Sequence, residues 1–230
     1  TPPQQLAFGR HFGTPNEYPF VEGLAEAPEV IEILKVETDA KNFGGLWHSD
    51  TSYLERPPLA TLLYAREVPP AGGDTLFANT RLAYERLSGG MKAMLAGLQG
   101  VNSAALRHAG GRQGTAKGNT RMKAKNVERA DDLEAVHPIV RTHPETGDKS
   151  LYLNTAHTVR FQDMTEAEST PLIDYLTDHI RRPEFTCRVR WEVDTLVVWD
   201  NRSTHHYAVN DYQGHRRRMH RVTIEGDVPH

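Results

Sequence analysis

The 230-residue chain contains a single cysteine, Cys187, so it cannot form an internal disulfide, and that usage fits a reducing compartment. No stretch approaches the roughly 18 consecutive apolar residues of a membrane span. No basic segment leads into an apolar core of the secretory-signal kind, so no membrane partner is expected and the cytoplasm is the default location. Charge of one sign is also missing: 27 Lys and Arg stand against 30 Asp and Glu, and a net charge of −3 argues against a nucleic-acid partner. No internal repeat is present. The length fits one domain over 1–230 with ample material for a core. An initiator methionine is absent too, and Thr1 to Phe12 reads like sequence from within a protein, so an N-terminal segment is expected to precede it.

Coarse periodicity places helices at Gln4 to Phe12 and at Thr80 to Leu98, the latter broken at Gly89-Gly90. Thr165 to Arg181 is the clearest helix. It either starts from a Thr165/Glu168 capping box or begins later, with Thr170 as cap and Pro171 in the first turn. Strands are expected at Val30 to Val36, Leu59 to Ala65, Val136 to Arg141, Leu151 to Leu153, Leu196 to Trp199 and Met219 to Ile224. Phe185 to Trp191 alternates, with Phe185, Cys187, Val189 and Trp191 on one side. The insertion at about 103–130 is different. From Arg107 to Arg129 it holds seven Lys or Arg against one Glu, with four glycines. It reads either as a solvated loop or as a basic lid over a site that handles anions.

The chemistry concentrates at two places. His48-Ser49-Asp50 puts a histidine and a carboxylate at i and i+2, which on a strand face the same way. Far along the chain, Trp199-Asp200-Asn201-Arg202-Ser203-Thr204-His205-His206 offers a second histidine. Two histidines and one carboxylate are the ligands of a mononuclear non-haem iron(II) site, with positions left for a cosubstrate and O2. An H-x-D alone is weak evidence in a chain with 12 histidines. Arg217 and Arg221 are four apart, so on one strand they face the same side about 13 Å apart, while Arg216 and Arg218 face away. A guanidinium fork suits a carboxylate. The alternative is a basic surface strand paired with acidic neighbours.

These pieces together resemble the taurine dioxygenase family of Fe(II)/2-oxoglutarate-dependent oxygenases, which includes alkylsulfatases and aryloxyalkanoate dioxygenases. The matching segments, in family order from about residue 4 onwards, are Trp47 to Asp50, Gly72-Gly73-Asp74-Thr75-Leu76-Phe77, Leu151-Tyr152-Leu153-Asn154, Phe185 to Trp191, Trp199 to Arg202 with His206, and Arg216 to Gly226. The resemblance implies a mainly β, α+β fold, a double-stranded β-helix or jelly roll with flanking helices. It implies His48, Asp50 and His206 as iron(II) ligands, leaving His205 as a neighbour. It implies Thr75 and Arg217 on the distal carboxylate of 2-oxoglutarate, O2 as the second cosubstrate, and Arg221 on the substrate's anionic group. It further implies a homo-oligomer, a dimer or a tetramer.

The implied reaction converts 2-oxoglutarate to succinate and CO2 and hydroxylates a small anionic organic substrate: a sulfonate, an alkyl sulfate or an aryloxyalkanoate. Where the family's taurine enzymes carry polar substrate contacts, this chain aligns Tyr18, Val21 and Gly44, with His157 after the Leu151 to Asn154 motif. That pattern predicts a roomier pocket for an apolar tail and excludes taurine. Two other classes stay open on the residues: a metal-dependent hydrolase on the same barrel, and a carboxylate-binding protein without turnover. A carboxylate-binding arginine such as Arg217 separates the first of these from an oxygenase, and an intact ligand triad argues against the second.

Overall fold

The structure is a computed structural model and describes residues 1–105, 122, 123, 125 and 133–230. The basic stretch expected to form a lid therefore lies outside the described residues, except for Met122, Lys123 and Lys125. Those three lie along the N-terminal segment. Glu22 N–H donates to the Lys123 carbonyl, Lys125 N–H donates to that of Phe20, and Met122 is buried beside Phe20 and Val21.

In chain order the elements are α1 (Pro2–Gly9), β1 (Pro15–Asn16), β2 (Ile31–Lys35), β3 (Ala60–Glu67), β4 (Thr75–Asn79), α2 (Thr80–Glu85), α3 (Gly89–Leu95), β5 (Gln99–Ser103), β6 (Glu134–Pro138), β7 (Val140–Thr142), β8 (Lys149–Leu151) and β9 (Thr158–Phe161). They continue with α4 (Glu166–Ile180), β10 (Thr186–Val189), β11 (Leu196–Asp200), β12 (Thr204–Ala208) and β13 (Arg217–Ile224). One sheet is built on β13, which takes β3 on one edge and both β1 and β2 on the other, with β11 beyond β3. The second runs β10-β4-β12, extended by an antiparallel bridge from His48 to His206. All these pairings are antiparallel.

Side chains from both sheets meet between them. Leu63 and Ala65 of β3, Phe77 of β4, Trp199 of β11 and Met219 of β13 form one buried cluster with Trp191. Their spacing by two along each strand is what lets one face turn inward while the other carries polar groups. The result is a double-stranded β-helix. Outside it, α2 and α4 cover a second core in which Ile173, Leu176 and Ile180 are fully buried.

Several local details differ from the sequence reading. The break between α2 and α3 falls before Gly89-Gly90, because Ser88 accepts from Met91 N–H as an N-cap and starts the second helix. α4 begins at Glu166, not at Pro171. Thr165 accepts from Glu168 N–H at 3.3 Å while the Glu168 carboxylate accepts from Thr165 N–H at 2.8 Å. Ser169 and Thr170 hydroxyls then donate to the carbonyls of Thr165 and Glu166. That braced first turn tolerates the donor that Pro171 lacks. The Phe185 to Trp191 alternation is also interrupted. Phe185 ends a short 3-10 turn, the strand proper starts at Thr186, and Cys187 is exposed.

Candidate active site

His48, which lies outside the strands, and His206 of β12 face each other across an isolated antiparallel bridge. Each donates its backbone N–H to the other's carbonyl, at 3.1 and 2.8 Å. Asp50 follows His48 in a turn, not in a strand. The chain leaves the bridge through Thr51 at φ +42°, a conformation uncommon for a β-branched residue. The convergence expected from strand parity is therefore present, but a bridge and a turn produce it.

The carboxylate is held by a relay. Trp199 Nε1–H donates to Asn201 Oδ1 at 2.9 Å, Asn201 Nδ2–H to Thr61 Oγ1 at 2.9 Å, and Thr61 Oγ1–H to Asp50 Oδ2 at 2.7 Å. Ser49 donates to the Asn201 carbonyl at 2.6 Å. Arg221 Nη2 lies 2.8 Å from the same Oδ2. With Oδ2 fully engaged, Oδ1 is the oxygen that faces the two imidazoles, 3.6 Å from His48 Nε2 and 3.7 Å from His206 Nε2. These separations are too long for hydrogen bonds and short enough for one ion at about 2.0–2.2 Å to touch all three atoms. The three side chains form the one His/Cys/Asp/Glu group among the described residues with ligand atoms within 4.8 Å of one another. His48 Nδ1 sits 2.6 Å from the Leu46 carbonyl, which fixes the proton there and leaves Nε2 as the free lone pair.

The electrostatics agree with the donor set. Burial pushes the Asp50 carboxyl up, but Arg221 and the two imidazoles override it and hold it well below the ordinary carboxylate range. Burial first, and His48 second, pushes His206 well below its usual value, so the ring stays neutral as a ligand must. His205 points away from the site and is buried with both ring nitrogens unpartnered. Burial pushes it down to about 3.

The same cavity reaches Thr75 and Arg217. In the β4–β12 register His206 faces Phe77 and Ala208 faces Thr75, so Thr75 lies two residues along the barrel from the metal ligands. Trp191 Nε1–H donates to Thr75 Oγ1 at 2.9 Å. Arg217 is 6 % exposed, its Nε and Nη2 have no partner, and its guanidinium lies 5.7 Å from the Trp191 ring centre. Burial pushes it below its ordinary value. A guanidinium left in this state is costly unless an anion completes it. The donors therefore fit a carboxylate, just as the triad fits iron(II).

The two arginines do face one side, as the even spacing predicts, while Arg218 pairs with Glu67 at 2.8 Å on the other. Arg221, which the resemblance assigns to the substrate's anionic group, also has an anionic neighbour within the protein, Asp50 Oδ2 at 2.8 Å. Of the residues aligned with the family's substrate contacts, Gly44 lines the cavity. Tyr18 lies beneath Arg221, 5.1 Å from its guanidinium. Val21 is buried in the core patch with Tyr18, and His157 meets the edge of His48 at 6.0 Å. Neither Val21 nor His157 lines the cavity. Sequence reasoning missed Thr61, which lies in a strand read only for its apolar residues, and it missed the relay role of Trp199 and Asn201 inside a motif it had singled out.

Comparison with known proteins agrees in direction. The family model described as "Taurine catabolism dioxygenase TauD, TfdA family" matches residues 1–223. An alkylsulfatase of Acinetobacter baylyi is 35% identical over 225 residues, covering 98% of this chain and 69% of that protein. An alpha-ketoglutarate-dependent sulfate ester dioxygenase of Pseudomonas putida is 33% identical over 226 residues, covering 98% of this chain and 73% of the other. The crystal structure of a taurine dioxygenase from Burkholderia xenovorans superposes with a TM-score of 0.80 at 33% identity, over 100% of this chain and 73% of that one.

Proposed function

We propose that this chain, which belongs to the taurine catabolism dioxygenase TauD, TfdA family, is an iron(II)- and 2-oxoglutarate-dependent dioxygenase acting on a small organic anion. The observation that carries the reading is Arg217. Its unpartnered buried guanidinium shares one cavity with Thr75 and with the convergent atoms of His48, Asp50 and His206. A hydrolase on the same barrel has no use for a carboxylate clamp beside its metal.

His48, Asp50 and His206 would hold the metal. The chemistry iron(II) supplies when bound is oxidative: with O2 and 2-oxoglutarate it yields succinate, CO2 and one oxygen atom inserted into a substrate C–H bond. The protein's part is placement. Arg217 and Thr75 grip the distal carboxylate and so set how far 2-oxoglutarate reaches toward the ligands. Thr61 and Asn201 keep Asp50 Oδ2 occupied, so that Oδ1 alone is offered. Ile33, Phe43, Leu63 and Trp199 give the cavity apolar walls and exclude water from the reacting atoms.

For the substrate we favour a sulfate ester or sulfonate with an apolar tail. The named activities of the relatives support this, as does the lack of a side chain at Gly44, where an added Cβ would already touch His48 and Ala208 at 3.7 Å. Arg221, shared with Asp50, is the group we assign to the substrate anion. Hydroxylation at a carbon bearing a sulfate-ester oxygen gives an adduct that collapses to a carbonyl compound and free sulfate. We further propose a cytoplasmic homo-oligomer, a dimer or a tetramer, with neither nucleic acid nor membrane as partner. The single free cysteine supports the compartment, and among the described residues no helix is long and apolar enough to cross a membrane.

The test is succinate release from 2-oxoglutarate, with iron(II), across alkyl sulfates, sulfonates including taurine, and aryloxyalkanoates. Substrate-stimulated succinate with an alkyl sulfate, and none with taurine, is the expected result. Metal-dependent hydrolysis without succinate would overturn the reading.

A further inference from the structure

A second buried cation stands beside the carboxylate end of the cavity. Lys35 is 3 % exposed, and its Nζ is buried without a hydrogen-bond partner, 4.3 Å from the centre of the Tyr212 ring. It stands directly across from Arg217 in the β2–β13 register, which puts both side chains on the cavity face of the sheet. Ile33, two residues before Lys35 on the same face, lines the cavity. Tyr212 and Arg217 flank one glycine: a Cβ built on Gly73 would lie 3.3 Å from Tyr212 Cδ1 and 3.2 Å from Arg217 Cδ. The ring that carries the ammonium therefore borders the guanidinium.

The carboxylates of this neighbourhood have nearer partners, although Asp74 also attracts Arg217 through space. Asp74 Oδ2 lies 2.5 Å from Arg188 Nε. Asp211 accepts from Gly73 N–H at 2.7 Å and from Arg188 at 3.4 Å, and Asp39 accepts from Val36 N–H at 2.9 Å. Among the described residues neither Lys35 nor Arg217 has an ion pair. Two adjacent buried cations repel each other, and a tyrosine face offsets the desolvation of an ammonium only in part. A chain that keeps both has a use for a doubly positive terminus.

We propose that Lys35 is a positioning residue for the cosubstrate: with Arg217 it makes the far end of the cavity dicationic and selects a 2-oxo acid ending in a second carboxylate. Lys35 does not line the cavity itself. It acts through its charge and through Tyr212, whose ring it holds against the Arg217 side of the turn. This rests on the 2-oxoglutarate reading given above.

The test uses the Mn(II)-loaded protein, which binds without turnover. Calorimetry with 2-oxoglutarate and with 2-oxopentanoate, an equal-length acid ending in methyl, is run on wild type, Lys35→Met and Lys35→Arg. Thermal unfolding is recorded with and without ligand. Lys35→Met is expected to weaken 2-oxoglutarate about tenfold and to leave 2-oxopentanoate unchanged. It should also leave the ligand-free melting temperature equal or higher, while shrinking the shift caused by 2-oxoglutarate. Lys35→Arg should restore most of the affinity. Equal effects on both acids, no effect on either, or a lower ligand-free melting temperature with unaltered selectivity would overturn the proposal and leave Lys35 a packing residue. Lys35→Gln, read the same way, serves if the methionine variant does not fold. A wild type that fails to prefer 2-oxoglutarate over 2-oxopentanoate would sink the cosubstrate reading itself, and this proposal with it.

Discussion

The two ends of the cavity are finished in opposite ways. At the metal end Asp50 Oδ2 is engaged twice over, by Thr61 and by Arg221, and its relay runs back to the Trp199 indole. At the carboxylate end Arg217 presents buried donors with nothing to receive them. The first end has its carboxylate oxygen held by protein groups. The second is complete only when a ligand arrives, so its unmet donors describe that ligand better than any contact already made does. The contrast teaches that a binding partner is read most directly from what a buried group lacks.

Four changes test this contrast. The largest effect is expected from His48→Ala, which removes one of three ligand atoms. Iron(II) binding should be abolished and succinate formation should fall to background, as measured by metal content after dialysis and by succinate assay. Arg217→Met comes next. Loss of a buried bidentate carboxylate partner costs about 2–5 kcal/mol, so the KM for 2-oxoglutarate should rise roughly 30- to 5,000-fold. Metal affinity should hold in that variant, and a parallel loss of metal would erase the distinction between the ends. Thr61→Val cuts the relay and leaves the ligands. It should lower metal affinity about 10- to 100-fold with little change in 2-oxoglutarate affinity at saturating metal. Gly44→Ala should act least. At φ +83° an added Cβ costs about 1–2 kcal/mol of stability, seen as a small drop in melting temperature, with reduced kcat/KM for bulky substrates.

Acid should loosen the metal end of the metal-free protein. His205, pushed down to about 3, and His206, pushed well below its ordinary value, both titrate below the unfolded chain's histidines. The unfolded state therefore takes up protons first. Stability is full above about pH 6.5 and falls as pH drops toward 3, by up to about 1.4 kcal/mol per pH unit for each such histidine. The lowered Asp50 adds its loss only below the ordinary carboxylate value of 3.8. Urea melts across this range check the slope, and His205→Leu should flatten it.

The regular strands of the barrel and α4 could be read from periodicity, because alternation and capping are local properties. The shared face of Arg217 and Arg221 was open to the same logic. What the chain did not disclose are contacts between distant segments. Thr61 looks like one more β-former in Ala60–Glu67, and only the fold brings its hydroxyl to Asp50. The Arg221 partner was hidden for the same reason. Which of His205 and His206 faces the metal is a matter of strand phase. The residues left this open, and the family resemblance placed it at His206. Val21 and His157, aligned with the family's substrate contacts, are not among the described residues that line the cavity, because alignment gives sequence position and not which way a side chain points.

The reciprocal backbone hydrogen bonds between His48 and His206 carry a consequence for synthesis. His48 and Asp50 precede His206 in the chain by the whole stretch from β3 to β11. A nascent chain still on the ribosome can display His48 and Asp50 but cannot close the triad until β12 has emerged and paired with β4. The full coordination site is therefore a property of the closed barrel, present only when β12 lies in register on β4.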